Sequence, residues 1–209
     1  MENPIGNCLI VAGGKESKIP HNDGDFVIAC DKGLEYCLKQ GIRPDIAVGD
    51  FDSFSGEIPC NLFVEKLPRE KDDTDTMHAV KKAIALGYTS FTLTCCLGNR
   101  LDHAFCNIQT LSFIKSQGLD AKIIEDDEEL FIIQNETRNI PPKDGFSLSV
   151  FSLSKKSKGV FIEGAKYNVS NFCFLADVPM GVSNEWQGNC TIKVRKGRLL
   201  VILSRLSLS

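Results

Sequence analysis

The chain has 209 residues, enough for one large domain or two small ones, and its apolar fraction of 43% is ordinary for a globular protein. A net charge of −3 gives no basic footprint, so nucleic acid is not an expected partner. No apolar run reaches the length of a membrane span, and the first residues lack a basic-then-apolar signal pattern, so a cytoplasmic protein with no membrane partner is expected.

Residues 8–12 form a short apolar run that reads as a buried strand, ended by Gly13-Gly14. Asp23-Gly24 turns the chain into a second strand at 26–30. Asp31-Lys32-Gly33 follows, then a short helix through Leu34, Cys37 and Leu38 that Gly41 stops. A third strand at 45–48 delivers Gly49-Asp50-Phe51-Asp52-Ser53, and Leu62-Phe63-Val64 is a fourth. Asp72, Asp73 and Thr74 open a helix with the apolar stripe Met77, Val80, Ala83 and Ile84, closed by Gly87. The strand at 91–96 runs into Gly98-Asn99-Arg100-Leu101-Asp102-His103 and a helix through Ala104, Ile108, Leu111 and Ile114. Such a junction can offer backbone N–H groups and Arg100 to phosphates, although the P-loop pattern is absent. Residues 121–124 give one more strand.

Strands alternating with helices predict an α/β domain with a mostly parallel, Rossmann-like sheet over residues 1–133. Beyond it no helical stripe recurs. Short strands at 146–153, 159–162, 190–194 and 199–203, with Lys196-Gly197 as a hairpin turn, predict an all-β, sandwich-like domain over 134–209. That module is small enough to gain from packing on a partner. The nine cysteines are scattered, with no C-x-x-C, which suits reduced thiols. The three histidines show no metal-ligand spacing.

The acids carry the chemistry. Asp50 and Asp52 are spaced i, i+2 at a strand's carboxyl end, which puts both on one face of an extended segment. A second knot, Asp72-Asp73-Thr74-Asp75, holds more acids than helix capping needs. Two carboxylates ~4 Å apart repel by about 4 kcal/mol at an effective dielectric of ~20, so such a cluster takes up protons or binds a cation. An all-oxygen set suits Mg²⁺, which also bridges to substrate phosphates. Asp31, Asp50, Asp52, the 72–75 knot, Arg100 and Asp102 all follow strands, where ligands of open α/β sheets bind.

With these residues assembled, the sequence resembles the bacterial-type thiamin pyrophosphokinases. The matching motifs are Asp31-x-Gly33, Gly49-Asp-Phe-Asp-Ser53, Asp72-x-Thr74-Asp75 and Arg100-x-Asp102-His103, then Lys166-Tyr167-Asn168 and Gly181-x-Ser183-Asn184. The resemblance implies transfer of the terminal diphosphate of ATP to the thiamin hydroxyl, with Mg²⁺, by a homodimer whose active sites lie at the subunit interface. It implies Asp50, Asp52 and Asp75 as metal-site and catalytic carboxylates, with Arg100 as a catalytic cation. It places Asp31, Gly33, Asp72, Thr74, Arg100, Asp102 and His103 on the nucleotide side. Tyr167, Asn168, Ser183, Asn184 and Trp186 hold thiamin. Lys32 and Asn99 stand where the family often has glycine. Two other readings stay open: a pyrophosphokinase acting on a hydroxymethylpterin-like acceptor, and a non-catalytic nucleotide- or thiamin-binding module.

Overall fold

The structure, a computed structural model, describes residues 5–51, 54, 56–68 and 72–206. The chain divides between Asp126 and Asp127 into two units.

The first unit contains β1 (Ile5–Val11), β2 (Phe26–Cys30), α1 (Gly33–Lys39), β3 (Ile46–Gly49), β4 (Phe63–Lys66), α2 (Asp75–Ala85), β5 (Tyr88–Thr94), α3 (Leu101–Ser116) and β6 (Asp120–Ile124). Its strands lie in the order β4-β3-β2-β1-β5-β6, and every neighbouring pair is parallel. The apolar strand runs are buried because helices accompany a parallel sheet on its faces. Leu9, Val11, Val27, Ala29 and Ala47 join Leu34, Tyr36 and Cys37 of α1 in one core cluster. From β1 the chain builds outward through β2, β3 and β4, then returns through α2 to place β5 on the other side of β1. The strand order therefore reverses between β1 and β5, the place where open α/β sheets leave a crevice.

Local chemistry sets the helix ends. Thr74 rather than Asp72 opens α2: its hydroxyl accepts the Met77 N–H at 3.2 Å. The inner face of α2 is Thr76, Ala79, Val80 and Ala83, leaving Met77 and Ile84 half-buried. On α3 the buried residues are Asn107, Thr110, Leu111 and Ile114, so the inward face is more polar than the predicted apolar stripe.

The second unit is all β: β7 (Glu128–Gln134), β8 (Thr137–Ile140), β9 (Phe146–Ser152), β10 (Lys156–Ala165), β11 (Val169–Leu175), β12 (Trp186–Lys196) and β13 (Arg198–Arg205). Antiparallel pairing gives the order β7-β13-β9 in one group and β11-β10-β12-β8 in the other. Inward side chains of both groups share one core, including Ile133, Leu148 and Val201 from the first and Val160, Ile192 and Val194 from the second. The expected boundary is 133/134, and the division of contacts lies between Asp126 and Asp127. β7 pairs with β13 from Gln134↔Arg198 to Glu128↔Ser204.

Candidate active site

A cavity of about 400 Å³ opens beyond the carboxyl ends of β1, β2 and β5, at the reversal of strand order. The Gly13-Gly14 turn, Asp31, Lys32, the start of α2 and the turn before α3 line it. Gly33 is required by close approach: a Cβ there would collide with the carbonyl oxygen of Val11, where α1 leaves the end of β1. Gly49 is required for a similar reason, since a Cβ would collide with the Asp31 carboxylate.

Asp31 ties two strand ends together. It sits at φ +46, and its Oδ1 accepts the Asp50 N–H at 3.1 Å, with the Phe51 N–H at 3.5 Å. Burial pushes its carboxyl up to about 7. A hydrogen bond to Asp75 and that neighbour's charge add to the rise, the Phe51 N–H opposes it, and the charge of Asp50 adds a smaller contribution. Asp31, Asp50 and Asp75 thus come from β2, β3 and α2 to one acidic corner. Among the described residues no three His, Cys, Asp or Glu side chains form a ready coordination site. Asp52 and Ser53 lie outside the described residues. The corner fits a hard divalent cation by its chemistry: all donors are oxygens, and without a cation one carboxyl holds its proton near neutrality.

Arg100 and His103 line the same cavity. The Arg100 guanidinium forks onto Asp102 at 2.6 and 3.1 Å, and Asp102 also accepts the His103 N–H at 2.9 Å. The pair is exposed; the hydrogen bond to Arg100 holds the Asp102 carboxyl below its ordinary value. Thr74 and Asp75 line the cavity, whereas Asp72 is exposed and away from its wall, and Asp73 pairs with Lys81 at 2.6 Å. Lys32 and Asn99 are accommodated without glycine. Lys32 has φ −61 and ψ −19, ordinary helical values, and Asn99 has φ +57, the left-handed region that asparagine tolerates.

Two site-shaping residues escaped the sequence reading. Glu125, just after β6, accepts the N–H groups of Cys95, Cys96 and Leu97 at 3.1, 2.6 and 3.1 Å, fixing the turn that leaves β5. Its burial raises the carboxyl above its ordinary value against the opposing pull of those donors. Asn107, buried on α3, donates to the Cys96 carbonyl at 2.8 Å and also lines the cavity. The sequence signal for Asn107 is an amide on the helix face that also carries Leu111 and Ile114.

In the second unit the Asn184 side chain is engaged internally. Its Oδ1 accepts the Tyr167 and Glu185 N–H groups, at 2.9 and 3.0 Å, and its Nδ2 donates to the Tyr167 carbonyl at 2.9 Å. It thereby fixes the turn that leaves the Tyr167 ring exposed. Asn168 accepts the Ala165 N–H at 3.1 Å, and Ser183, at φ +54, donates its N–H to the Ser149 hydroxyl at 3.0 Å. Trp186 packs on the core and donates to the Ile140 carbonyl at 3.2 Å. Exposed Met180 and Val182 share the loop with Ser183.

A parallel sheet with glycine turns, cations and clustered acids at its point of strand reversal is the class of site that open α/β proteins use for nucleotides. Residues 20–123 match the family model of the thiamin pyrophosphokinase catalytic domain, and residues 137–199 match that of the thiamin pyrophosphokinase vitamin B1 binding domain. The chain belongs to the thiamin pyrophosphokinase family, as its motifs indicated. Thiamine pyrophosphokinase of Bacillus subtilis is 28% identical over 214 residues, covering 93% of this chain and 97% of its own. The crystal structure of thiamine pyrophosphokinase from Bacillus subtilis matches with a TM-score of 0.89 at 26% identity, over 97% of this chain and all of that one. The one from Geobacillus thermodenitrificans matches with a TM-score of 0.83 at 26% identity, over 97% and 99% of the two chains.

Proposed function

We propose that this protein transfers diphosphate from ATP to the hydroxyl of thiamin, giving thiamin diphosphate and AMP. The observation that carries the reading is the convergence of Asp31, Asp50 and Asp75 beside a cavity at the strand reversal, within the segment matched by the catalytic-domain model. The strand order supports a Rossmann-like first unit, and the core shared by two antiparallel groups supports a sandwich-like second one.

In this reading the glycine turns and the start of α3 receive the phosphates, and Arg100 exchanges Asp102 for a phosphate oxygen. Asp50, Asp52 and Asp75 would hold Mg²⁺, which supplies charge neutralisation on the phosphates when bound. The thiamin hydroxyl oxygen bonds to the β-phosphorus, the bond from that phosphorus to the α–β bridging oxygen breaks, and AMP leaves with the oxygen. The hydroxyl proton departs to solvent or to an acid of the cluster. In the second unit, Tyr167 offers an aromatic face to the flat thiamin cation, and Ser183 offers a hydroxyl. Asn168, Asn184 and Trp186 hold that surface in shape. The resemblance supports a homodimer with each active site drawing on both subunits. The nine free thiols, Cys60 and Cys173 among them exposed, support a reducing cytoplasmic setting.

The test is incubation with ATP, Mg²⁺ and a panel of hydroxymethyl heterocycles including thiamin and a hydroxymethylpterin, scored for AMP and for the diphosphorylated acceptor. Thiamin alone should be converted. Preferential conversion of the pterin, or no AMP release with any acceptor, would overturn the proposal.

A further inference from the structure

We propose that Lys32 binds the triphosphate of the nucleotide, as the cation on the β2–α1 side of the cavity; this rests on the nucleotide site proposed above. Lys32 lines the cavity at the start of α1. Its Cβ lies 3.5 Å from where a Cβ on Gly13 would be, so its stem begins against the Gly13-Gly14 turn. The ammonium lies 5.6 Å from the centroid of the Tyr36 ring, and the Tyr36 hydroxyl is itself anchored to the Gly14 carbonyl at 2.8 Å. The ring thus keeps the cation near the glycine turn through a weak contact that a phosphate oxygen readily replaces.

The charge inventory explains why this cation matters. Asp75 faces the cavity with Asp50 near Asp31, so an incoming triphosphate meets like charge. Arg100, the other strong base on the wall, is already forked onto Asp102. Lys39 shares the Tyr36 ring but is paired with Glu35 at 2.8 Å and Glu16 at 3.5 Å. Among the described residues, Lys32 lines the cavity with no ion pair of its own, and Glu35, the carboxylate that feels its charge, is already paired with Lys39 at 2.8 Å. The position brings a cation to the phosphates at no backbone cost, because it is helical. A charge-assisted contact of this kind strengthens phosphate binding by about ten- to a hundredfold.

Lys32→Met keeps the aliphatic stem and removes the charge. Expected are a rise of about ten- to a hundredfold in the KM for ATP, an unchanged KM for thiamin, and substantial recovery in Lys32→Arg. Calorimetry without turnover should show the same loss for ATP and none for adenosine. ATP affinity within twofold of wild type, or equal weakening of ATP, adenosine and thiamin, would overturn the assignment. If wild type binds ATP but transfers nothing to thiamin, the proposed activity fails, and the calorimetric comparison still decides Lys32. Absence of ATP binding by wild type would overturn both.

Discussion

A half-buried carboxylate next to two others is relieved by a proton, by donated hydrogen bonds or by a cation. Asp31 uses the first two in the ligand-free protein, holding a proton near neutrality and accepting the Asp50 N–H. The third relief is what a phosphate-transfer site needs, and it makes the corner a place where stability and function oppose each other. Asp50→Asn or Asp75→Asn should lower turnover by several hundredfold, the equivalent of roughly 3–4 kcal/mol of transition-state stabilisation. Melting in EDTA should stay level or rise, because like-charge repulsion falls. Near-normal turnover in both variants would remove these carboxylates from the reaction. The sequence made Asp31, Asp50 and Asp75 visible because each follows a strand or opens a helix. It did not show that Asp31 reaches Asp75, because that contact depends on β2 lying next to β3 with α2 over their ends. Trp186 was legible as an aromatic near thiamin motifs, but its indole N–H is spent on the Ile140 carbonyl, a partner assigned by the pairing of β8 with β12.

At the level of elements, runs of four or five buried apolar residues announced β1, β2 and β3, and β2 matched its expected span. β7, β8 and β11 stayed hidden. β8 is a short strand at the end of its sheet order, and most of β11 is exposed or half-buried, so neither shows a clean apolar period. Joints between elements are similarly illegible because they depend on side chains far apart in sequence. Glu125 is one such joint. Glu125→Gln places an amide donor against backbone N–H groups at the end of β5 and should cost about 1–3 kcal/mol. Its Tm should drop by about 2–4 °C for each kcal/mol in a chain of this size. An unchanged Tm would mean that water replaces the bracket. Glu65 on β4 is another, reaching Lys82 at 2.6 Å and His78 at 2.9 Å on α2. Lys82, and then His78, hold its carboxyl below the ordinary value. A depressed acid contributes stability that is present above its unfolded value and lost as pH falls through its folded one. Acid melting of wild type should therefore steepen below about pH 4.5, and Glu65→Gln should flatten that limb while leaving stability above pH 6 slightly lower. Parallel acid limbs for the two proteins would rule out this contribution.

At the scale of the molecule, the two units divide the chemistry. The clustered acids belong to the first, and the exposed tyrosine with its asparagine-braced turn belongs to the second. The change of texture in the sequence announced that division. β7 went unread in the sequence, with Glu128 and Glu129 ahead of its apolar run. Whether acids and tyrosine of one active site come from one chain or two is decided by complementation. An Asp50→Asn chain and a Tyr167→Ala/Ser183→Ala chain are each inactive on the proposed reading. If each site draws on both subunits, a mixed two-fold dimer holds one doubly damaged site and one intact site. Random exchange at equal amounts makes about half the dimers mixed, so activity should return to roughly a quarter of wild type. Native mass measurement confirms that exchange has occurred. Exchange with no returning activity means that each chain builds its own site, and a protein that stays monomeric at working concentration excludes the shared site at once.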